Sequence, residues 1–251
     1  MAFALKLCCI LFFSILVLFP ITCYGDDVFL STRATFYGSV GTFGTPSGAC
    51  GYGEYGKTVN NGEVCGVSKL YKNGTGCGAC YQVRCKHPQY CNEEGTTVVV
   101  TDFAVGHDTD FVLSFQAFAK LARTNMAKLL IALGVIDAEY KRVPCQYPGN
   151  NVKVKIHEKS RYPDYLAIIL LYQGGESDIT AVEVYEESSK KWKAMRRAYG
   201  AVWDISSPPK GAFSFRFQVS DSAGVKWVEP KKVIPSEWKA GIIIDTAVQL
   251  T

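Results

Sequence analysis

Three aspartates that lie close together in the sequence could carry out acid–base chemistry. Asp102 follows the β-branched run Thr97–Thr101, and Asp108 and Asp110 come soon after it. A glycoside hydrolase needs two carboxyl groups across a sugar, one acting as an acid and the other as a base. A weak endoglucanase that uses Asp102 with Asp110 is therefore one hypothesis. The alternative is that Asp108 and Asp110 only turn the chain ahead of a helix near Ser114.

The cysteine-rich segment from Cys77 to Cys91 suggests two other kinds of chemistry. Its first part, Cys77-Gly78-Ala79-Cys80-Tyr81, fits the pattern around the nucleophile of papain-type proteases. That mechanism needs a histidine base and an orienting asparagine about 130–150 residues downstream, and residues 210–230 contain neither. Zinc binding is disfavoured because the cysteine spacings are uneven and the protein is expected to be exported. We therefore expect disulfides here, with no metal and no cofactor.

The N-terminus predicts export. Residues 1–25 contain Lys6, an apolar run from Leu7 to Phe19 and small side chains just before Asp26, as in a secretory signal peptide cleaved before Asp26. An uncleaved membrane anchor is the alternative, but a spanning helix needs about 20 apolar residues. The net charge of +4 is too small to indicate nucleic-acid binding. We therefore expect a secreted protein with neither a membrane nor a nucleic acid as partner.

Seven cysteines remain after removal of the signal peptide, and their odd number leaves one thiol unpaired. An oxidising compartment makes disulfides the expected state of the others, but the residues alone leave their pairing open. Asn73-Gly74-Thr75 fits an N-glycan acceptor, so Asn73 is a predicted glycosylation site. The seven cysteines are Cys50, Cys65, Cys77, Cys80, Cys85, Cys91 and Cys145.

The pattern of apolar residues divides the chain into two β-rich halves. In the first, Thr97–Thr101 predicts a buried strand, Ser114 the N-cap of one short helix, and Ala138–Val143 a closing strand. The second half has alternating apolar residues and regular turn signals, which favour an antiparallel β-sandwich of about 100 residues. The expected organisation is a signal peptide at 1–25, a mostly β domain at 26–146, a linker at 147–151 and a sandwich domain at 152–251.

The second half is also rich in aromatic residues. Exposed, coplanar rings on a β-sandwich can bind the flat faces of sugars, and Tyr162, Tyr165 and Tyr199 are candidates for this role. For any single ring, burial in the core is the alternative. We expect three tryptophans of this half to lie in the core: Trp192, Trp203 and Trp227.

Several short motifs occur in order along the mature chain: Ala34-Thr35-Phe36-Tyr37-Gly38, Gly48–Gly53, Gly76–Tyr81, Val100-Thr101-Asp102, Arg142–Cys145, Tyr165–Ala167 and Arg197–Trp203. Together they resemble the expansin family, most of all its expansin-like B branch. The resemblance implies a six-stranded double-psi β-barrel, similar to family-45 glycoside hydrolases, followed by an immunoglobulin-like cellulose-binding sandwich. Expansins loosen plant cell walls at acidic pH without measurable hydrolysis. The implied partners of this protein, expected to be a monomer, are therefore cellulose and matrix polysaccharides of the plant cell wall.

The resemblance also implies a disulfide pairing and a departure from hydrolase chemistry. The related hydrolases have their base where this chain has Gly38 and their acid where it has Val112. Without an acid and a base, no hydrolysis is expected. The aspartate missing at Val112 is also the one that wall-loosening expansins need, and Asp110 lies about 6–7 Å too early on an extended chain to replace it directly. The implied pairs are Cys50–Cys77, Cys80–Cys145 and Cys85–Cys91, with Cys65 unpaired.

The remaining family positions give a non-hydrolytic groove and a binding platform. Thr35 and Asp102 match polar residues that line the groove, and Asp110 is a further groove candidate. Tyr165 and Tyr199 match the aromatic platform. Three functions remain open: a protein that binds wall polysaccharide and loosens its contacts, a binding protein without loosening activity, and a weak endoglucanase.

Overall fold

The structure is a computed structural model that describes residues 28–106 and 109–250. The predicted signal peptide at residues 1–25 and the candidate Asp108 lie outside these ranges. The described part contains fifteen strands, three short α-helices and two 3₁₀ segments. No helix within it is long and apolar enough to cross a membrane.

The first six strands form a closed barrel in the order β1-β5-β2-β4-β3-β6. The pairs β1–β5 and β2–β4 are parallel and the other pairs are antiparallel. Every strand has two neighbours, so the barrel has no exposed sheet edge. The strands are β1 (Leu30–Tyr37), β2 (Val64–Val67), β3 (Cys80–Cys85), β4 (Thr96–Phe103), β5 (Phe111–Ser114) and β6 (Ile136–Val143).

The helices belong to the same half of the chain and lie in the connections between its strands. They are α1 (Glu54–Thr58), α2 (Phe115–Lys120) and α3 (Ala127–Leu133), with 3₁₀ segments at Val59–Gly62 and Lys69–Gly74. The Ser114 hydroxyl accepts a hydrogen bond from the Ala117 N–H at 3.2 Å, so the predicted cap begins α2. Helix α3 was not predicted because its N-cap residue, Met126, offers no side-chain acceptor and Leu129 and Leu133 are exposed.

Three disulfides close the loops around the barrel. Cys65 on β2 is the free cysteine of the described ranges and is fully buried. Its burial, with a smaller contribution from the charge of Asp102, raises the pKa of the Cys65 thiol well above its usual range. It therefore acts as a small apolar core residue. The disulfides are the three pairs that the resemblance implied, with Cα–Cα distances of 5.6 Å for Cys50–Cys77, 5.3 Å for Cys80–Cys145 and 5.8 Å for Cys85–Cys91.

The other nine strands form two antiparallel sheets that enclose one apolar core, as the predicted sandwich requires. One sheet has the strand order β11-β12-β8-β7-β15 and the other has the order β10-β9-β13-β14. The strands are β7 (Lys153–Ile156), β8 (Tyr165–Leu171), β9 (Asp178–Glu186), β10 (Lys191–Ala194), β11 (Arg196–Tyr199), β12 (Val202–Ser206), β13 (Phe215–Asp221), β14 (Gly224–Val228) and β15 (Ile243–Asp245).

The five-stranded sheet is covered on both faces, which explains the unbroken apolar run of β8. Leu166, Ile168 and Leu170 point into the sandwich core. The alternate residues Ala167, Ile169 and Leu171 belong to the same buried cluster as the barrel residues. Successive side chains on a strand point to opposite faces, so both faces of β8 are apolar. The molecule is therefore built in layers, with the barrel on one side of this sheet and the four-stranded sheet on the other.

Two of the three tryptophans expected in the core are elsewhere, and that prediction was wrong for them. Trp203 is buried in the sandwich core. Trp192 is half-buried and Trp227 is 38% exposed. Both lie against the guanidinium of Arg216, which is 4.3 Å from one ring centroid and 4.4 Å from the other. They occupy the outer face of the four-stranded sheet, because strand alternation gives its inner face to residues such as Phe215 and Phe217.

Candidate functional site

A row of four residues crosses the outside of the barrel. The strand register places Thr35 beside Val112, Val112 beside Gly66, and Gly66 beside Asp102. On β5 the neighbours of Val112 are fully buried, so Val112 itself points outward. Thr35 at one end donates a hydrogen bond to the carbonyl of Gly134 at 2.9 Å. The sheet thus brings two of the predicted groove residues onto one surface, with Val112 between them.

Asp102 fixes a loop at its end of the row. Its Oδ1 accepts hydrogen bonds from the N–H of Ala49 at 2.6 Å and from the N–H of Phe103 at 2.8 Å. The loop runs so close to β4 that a Cβ atom on Gly48 would lie 2.5 Å from the carbonyl oxygen of Thr101. Charge-assisted bonds to backbone donors are among the stronger ones. The carboxylate therefore has a defined position beside the loop.

Asp110 lies just before β5 and is held by two hydroxyl groups. Ser68 donates to its Oδ1 at 3.2 Å and Thr32 donates to its Oδ2 at 3.3 Å. Asp102 and Asp110 lie on opposite sides of β2, and their positions are offset by two residues along that strand. Ordinary strand spacings make the separation of the two Cα atoms about 12 Å. Asp102 is bound by backbone N–H groups and Asp110 by two hydroxyl groups, so each carboxylate is held by partners of its own.

The two positions at which the resemblance implies an acid and a base in hydrolases carry no ionisable side chain in this protein. Gly38 has φ 85°, a conformation that favours glycine. A Cβ atom on it would lie 2.4 Å from the hydroxyl oxygen of Thr42. Val112 is half-buried and offers only methyl groups to the surface. Neither position can transfer a proton.

Tyr37, at the end of β1, is a groove feature that the sequence analysis did not assign. Its hydroxyl is buried and has no hydrogen-bond partner among the described residues. Burial, together with the charges of Cys65 and Asp102, raises the pKa of Tyr37 well above its usual range, so the hydroxyl stays protonated. Buried hydroxyls without a partner are rare in folded proteins. The motif Phe36-Tyr37 was the signal that could have identified it.

Tyr199 is the more exposed of the two platform tyrosines, with 44% of its surface accessible. Its hydroxyl lies 3.2 Å from Nε2 of His157. The Nδ1 of His157 accepts the N–H of Lys159 at 3.0 Å, which assigns the proton of the neutral ring to Nε2. His157 therefore donates to the Tyr199 oxygen. Burial is the main cause that lowers the pKa of His157 and favours this neutral form.

Tyr165 is held by an ion pair. Its hydroxyl donates to Oδ2 of Asp204 at 2.9 Å. Arg196 binds both oxygens of Asp204, through Nε at 3.0 Å and Nη2 at 2.7 Å. The bonds from Arg196 are the largest cause that holds the pKa of Asp204 below its usual range. Tyr165 is half-buried, and its ring is thus fixed by its polar end.

Both tyrosines lie on the face of the five-stranded sheet that packs against the barrel. Strand register places Tyr199 beside Val202, and Val202 beside Ile169, whose side chain belongs to the barrel cluster. Tyr165 is four residues before Ile169 on the same strand, so it shares that face. The platform is therefore the part of this face that extends beyond the barrel.

Direct backbone contact joins the platform to the groove loop. The N–H of Ala201 donates to the carbonyl of Cys50 at 2.9 Å. A Cβ atom on Gly200 would lie 2.3 Å from the carbonyl oxygen of Ala49, and one on Gly51 would lie 2.8 Å from the ring of Tyr199. Glycine is needed where two backbones approach so closely. The platform and the groove are fixed relative to each other at this junction.

Arg197 supports the same junction, and the sequence analysis missed it. Its guanidinium donates to the carbonyls of Gly200 at 2.7 Å, Gly74 at 3.2 Å and Ile179 at 2.6 Å. It also lies over the ring of Trp203, 4.1 Å from the centroid. Burial lowers the pKa of Arg197. The family motif Arg197–Trp203 includes this arginine, but the motif does not indicate that its guanidinium binds carbonyls of both halves.

The other candidates are placed as follows. Tyr162 is exposed, and its ring meets Trp238 edge-on at 5.2 Å. Asn73 is exposed at the end of the second 3₁₀ segment, where an N-glycan acceptor can be reached. Among the described residues, no group of three or more histidine, cysteine, aspartate or glutamate side chains is arranged to hold a metal ion.

Comparisons with known proteins agree with this two-part architecture. The family described as the expansin C-terminal domain matches residues 152–235. A family of barrel domains described as lytic transglycolase matches residues 63–140. An apo expansin from Clavibacter michiganensis has the same fold, with a TM-score of 0.65 at 22% identity, covering 88% of this chain and 98% of the bacterial one. A mutant of that protein, crystallised with cellohexaose, matches equally well.

Curated plant proteins are much more similar in sequence. Expansin-like B1 of Arabidopsis thaliana is 51% identical over 243 residues, which is 96% of this chain and 97% of the relative. Expansin-like B1 of Oryza sativa subsp. japonica is 42% identical over 239 residues, covering 94% and 93% of the two chains. The chain therefore belongs to the expansin family, and it resembles the expansin-like B members over nearly its whole length.

Proposed function

We propose that the protein binds a polysaccharide chain of the plant cell wall along one continuous surface, made of the platform and the barrel groove, and loosens its contacts without hydrolysis. The observation that carries this proposal is the junction at Gly200. It holds Tyr199 against the loop that Asp102 anchors, so a single extended chain can touch both halves of the molecule.

The chemistry of the surface suits a sugar chain. Sugars present apolar C–H faces to aromatic rings and hydroxyl groups to polar side chains. The platform supplies the exposed ring of Tyr199 and the half-buried ring of Tyr165, and the groove supplies Thr35 and Asp102. The solved bacterial expansin with cellohexaose provides a precedent within the family for a cellulose-type ligand. Cellulose and matrix polysaccharides are the partners we propose.

The groove supports a mechanism without hydrolysis. Hydrolysis needs one group that activates water and another that protonates the leaving oxygen. Gly38 and Val112 provide neither, and Asp102 and Asp110 are each held by hydrogen-bond partners of their own. We propose that these aspartates only bind and orient the polysaccharide. Binding that favours separated chains over packed ones would loosen the wall in the absence of bond cleavage.

In this proposal the protein is secreted to the cell wall and acts as a monomer. The proposed boundaries are 26–146 for the barrel domain, 147–151 for the linker and 152–251 for the sandwich domain, and Asn73 is the proposed glycosylation site. A second candidate function is polysaccharide binding without loosening. It is favoured by Val112, which places methyl groups at the centre of the groove row.

Wall creep and binding together test these functions. The mature chain would be compared with the double variant Tyr165→Ala/Tyr199→Ala in extension of acid-treated wall strips under load and in binding to cellulose. A Trp227→Ala variant, which removes an exposed ring from the opposite sheet, is the matched control. We expect creep and binding from the wild type and the control, and loss of both in the double variant.

Other outcomes of this experiment separate the candidates. Cellulose binding without creep would select the second candidate function. Release of reducing ends from soluble glucan would overturn the non-hydrolytic mechanism. Equal binding by the wild type and the double variant would show that the platform assignment is wrong.

A further inference from the structure

An exposed aromatic pair stands beside the groove and has no role in the surface described so far. Phe103 ends β4, directly after Asp102, and 48% of its surface is accessible. Its ring meets that of Tyr71 at 5.3 Å with an interplanar angle of 62°. A large apolar side chain this exposed, next to a fixed carboxylate, is not explained by packing in the barrel core.

Tyr71 is anchored to the loop that joins groove and platform. Its hydroxyl donates to the carbonyl of Ala49 at 3.1 Å. The N–H of Ala49 donates to Asp102, and the Ala49 carbonyl lies in close contact with Gly200, the neighbour of Tyr199. One loop residue therefore contacts the groove carboxylate, the Tyr71–Phe103 pair and the platform turn. The pair lies at the point where the two halves of the surface meet.

We propose that Phe103, supported by Tyr71, is a further sugar-contacting subsite that extends the aromatic platform onto the barrel. This inference rests on the proposed function and names a residue through which the barrel holds the polysaccharide. Its ligand is one unit of an extended β-linked glucan chain whose other units contact Tyr199. The ring provides an apolar face for one sugar unit, and the carboxylate of Asp102 on the outer face of the barrel can accept hydrogen bonds from the hydroxyl groups of a neighbouring unit.

The position of Phe103 predicts that its contribution to affinity depends on the length of the oligosaccharide. A short oligosaccharide can be held by the platform alone, whereas a long one can reach both Tyr199 and Phe103. Cellotriose and cellohexaose are the probes, with affinity measured by titration calorimetry on the mature full-length protein. We expect Phe103→Ala to weaken cellohexaose binding by about three- to tenfold, the range for one lost ring contact, and to leave cellotriose binding unchanged.

Matched variants separate a lost contact from a damaged fold. Val105→Ala removes another exposed apolar side chain from the same segment, where 73% of Val105 is accessible, and should bind as the wild type does. Phe103→Leu keeps apolar bulk but lacks a ring, so we expect an unchanged melting temperature with the same loss of affinity as Phe103→Ala. Phe103→Trp offers a larger ring and should bind cellohexaose at least as tightly as the wild type.

The failure of this inference differs from the failure of the proposed function. If Tyr199→Ala weakens cellohexaose binding while Phe103→Ala and Phe103→Leu do not, the subsite is wrong and the platform stands. If Phe103→Leu binds like the wild type, the ring itself makes no contact and the inference is also overturned. If the wild type binds neither oligosaccharide nor cellulose, the proposed function and the subsite fall together.

Discussion

The groove on the barrel and the platform on the sandwich hold their binding groups in different ways. In the groove, Asp102 is fixed by the N–H of Phe103 and by the N–H of Ala49 in a glycine-rich loop, and that loop is closed by the Cys50–Cys77 disulfide. On the platform, Tyr165 and Tyr199 extend from regular strands and are fixed by side-chain partners. The groove thus depends on covalent links between loops, and the platform depends on a sheet with an apolar core.

This difference indicates that the groove on the barrel tolerates replacement of its side chains better than the platform does. A groove on a closed barrel keeps its shape when one outward side chain is replaced, because strand pairing and disulfides define it. Gly38 and Val112 stand where a hydrolase has proton-transfer groups, yet the strands around them keep their register. The platform has no such reserve, because in the proposed function its two rings are themselves the binding groups.

The largest expected effect is a loss of stability on removal of the disulfide that closes the longest loop. Cys80–Cys145 closes 65 residues, and chain entropy assigns such a link about 4 kcal/mol of stability. We expect Cys80→Ala/Cys145→Ala to lower the free energy of unfolding by about that amount, measured by denaturant titration. The double variant Cys85→Ala/Cys91→Ala opens a loop with a sequence separation of 6 and should lose about 2 kcal/mol. Equal losses would contradict the loop-closure explanation.

A smaller effect is expected from Arg197, which links the two halves. Arg197→Ala removes one donor from each of three carbonyls at the junction, of which Gly74 keeps the N–H of Cys77, and we expect a loss of about 3 kcal/mol in the free energy of unfolding. Arg197→Lys should recover only part of it, because an ammonium group cannot form the same fork of bonds. Lys191→Ala, which changes an exposed basic residue on β10 of the other sheet, is the control and should alter stability by less than about 0.5 kcal/mol. A loss no larger than that of the control would show that the junction does not depend on this arginine.

The smallest effect is a pH dependence that arises on the platform. Burial lowers the pKa of His157 in the folded protein, so the unfolded chain takes up a proton more readily. Stability is therefore complete above the unfolded value of about 6.5 and falls as the pH drops below it, by less than about 1.4 kcal/mol for each pH unit. The charged groups that influence His157 are Glu158, Lys159 and Lys155.

Thermal unfolding between pH 7 and pH 5 would measure this contribution. His157→Gln cannot titrate but retains a side-chain donor for Tyr199, so we expect a flatter pH profile from this variant. Carboxylates with a lowered pKa, such as Asp204, lose their contribution only below about pH 4 and do not interfere. Parallel profiles for the two proteins would mean that His157 is not the group responsible.

Local signals in the sequence predicted much of the fold. The β-branched run before Asp102 became β4, the hydroxyl of Ser114 began α2, and the alternation around Phe215 became an inner face of the sandwich. Family motifs supplied what local patterns cannot, namely the barrel topology and the three disulfide pairs. Pairing of distant strands and cysteines is non-local, so no short pattern encodes it.

The role of a side chain was predicted less well where it depends on contacts with distant segments of the chain. Trp192 and Trp227 are apolar enough for a core, but their strands turn them outward onto Arg216. Arg197 begins a family motif, but only the fold brings three carbonyls to it. Phe103 is the last residue of β4, and its side chain is exposed because the barrel ends there.

The apolar run of β8 has a consequence for anyone who divides the molecule. A fragment that begins at residue 152 would lose the barrel that covers Ala167, Ile169 and Leu171. Water would then reach an apolar strip in the middle of a regular sheet, and such strips cause proteins to associate. We expect the isolated sandwich to aggregate unless these positions are made polar, so the barrel also serves as a solubilising cover for its neighbour.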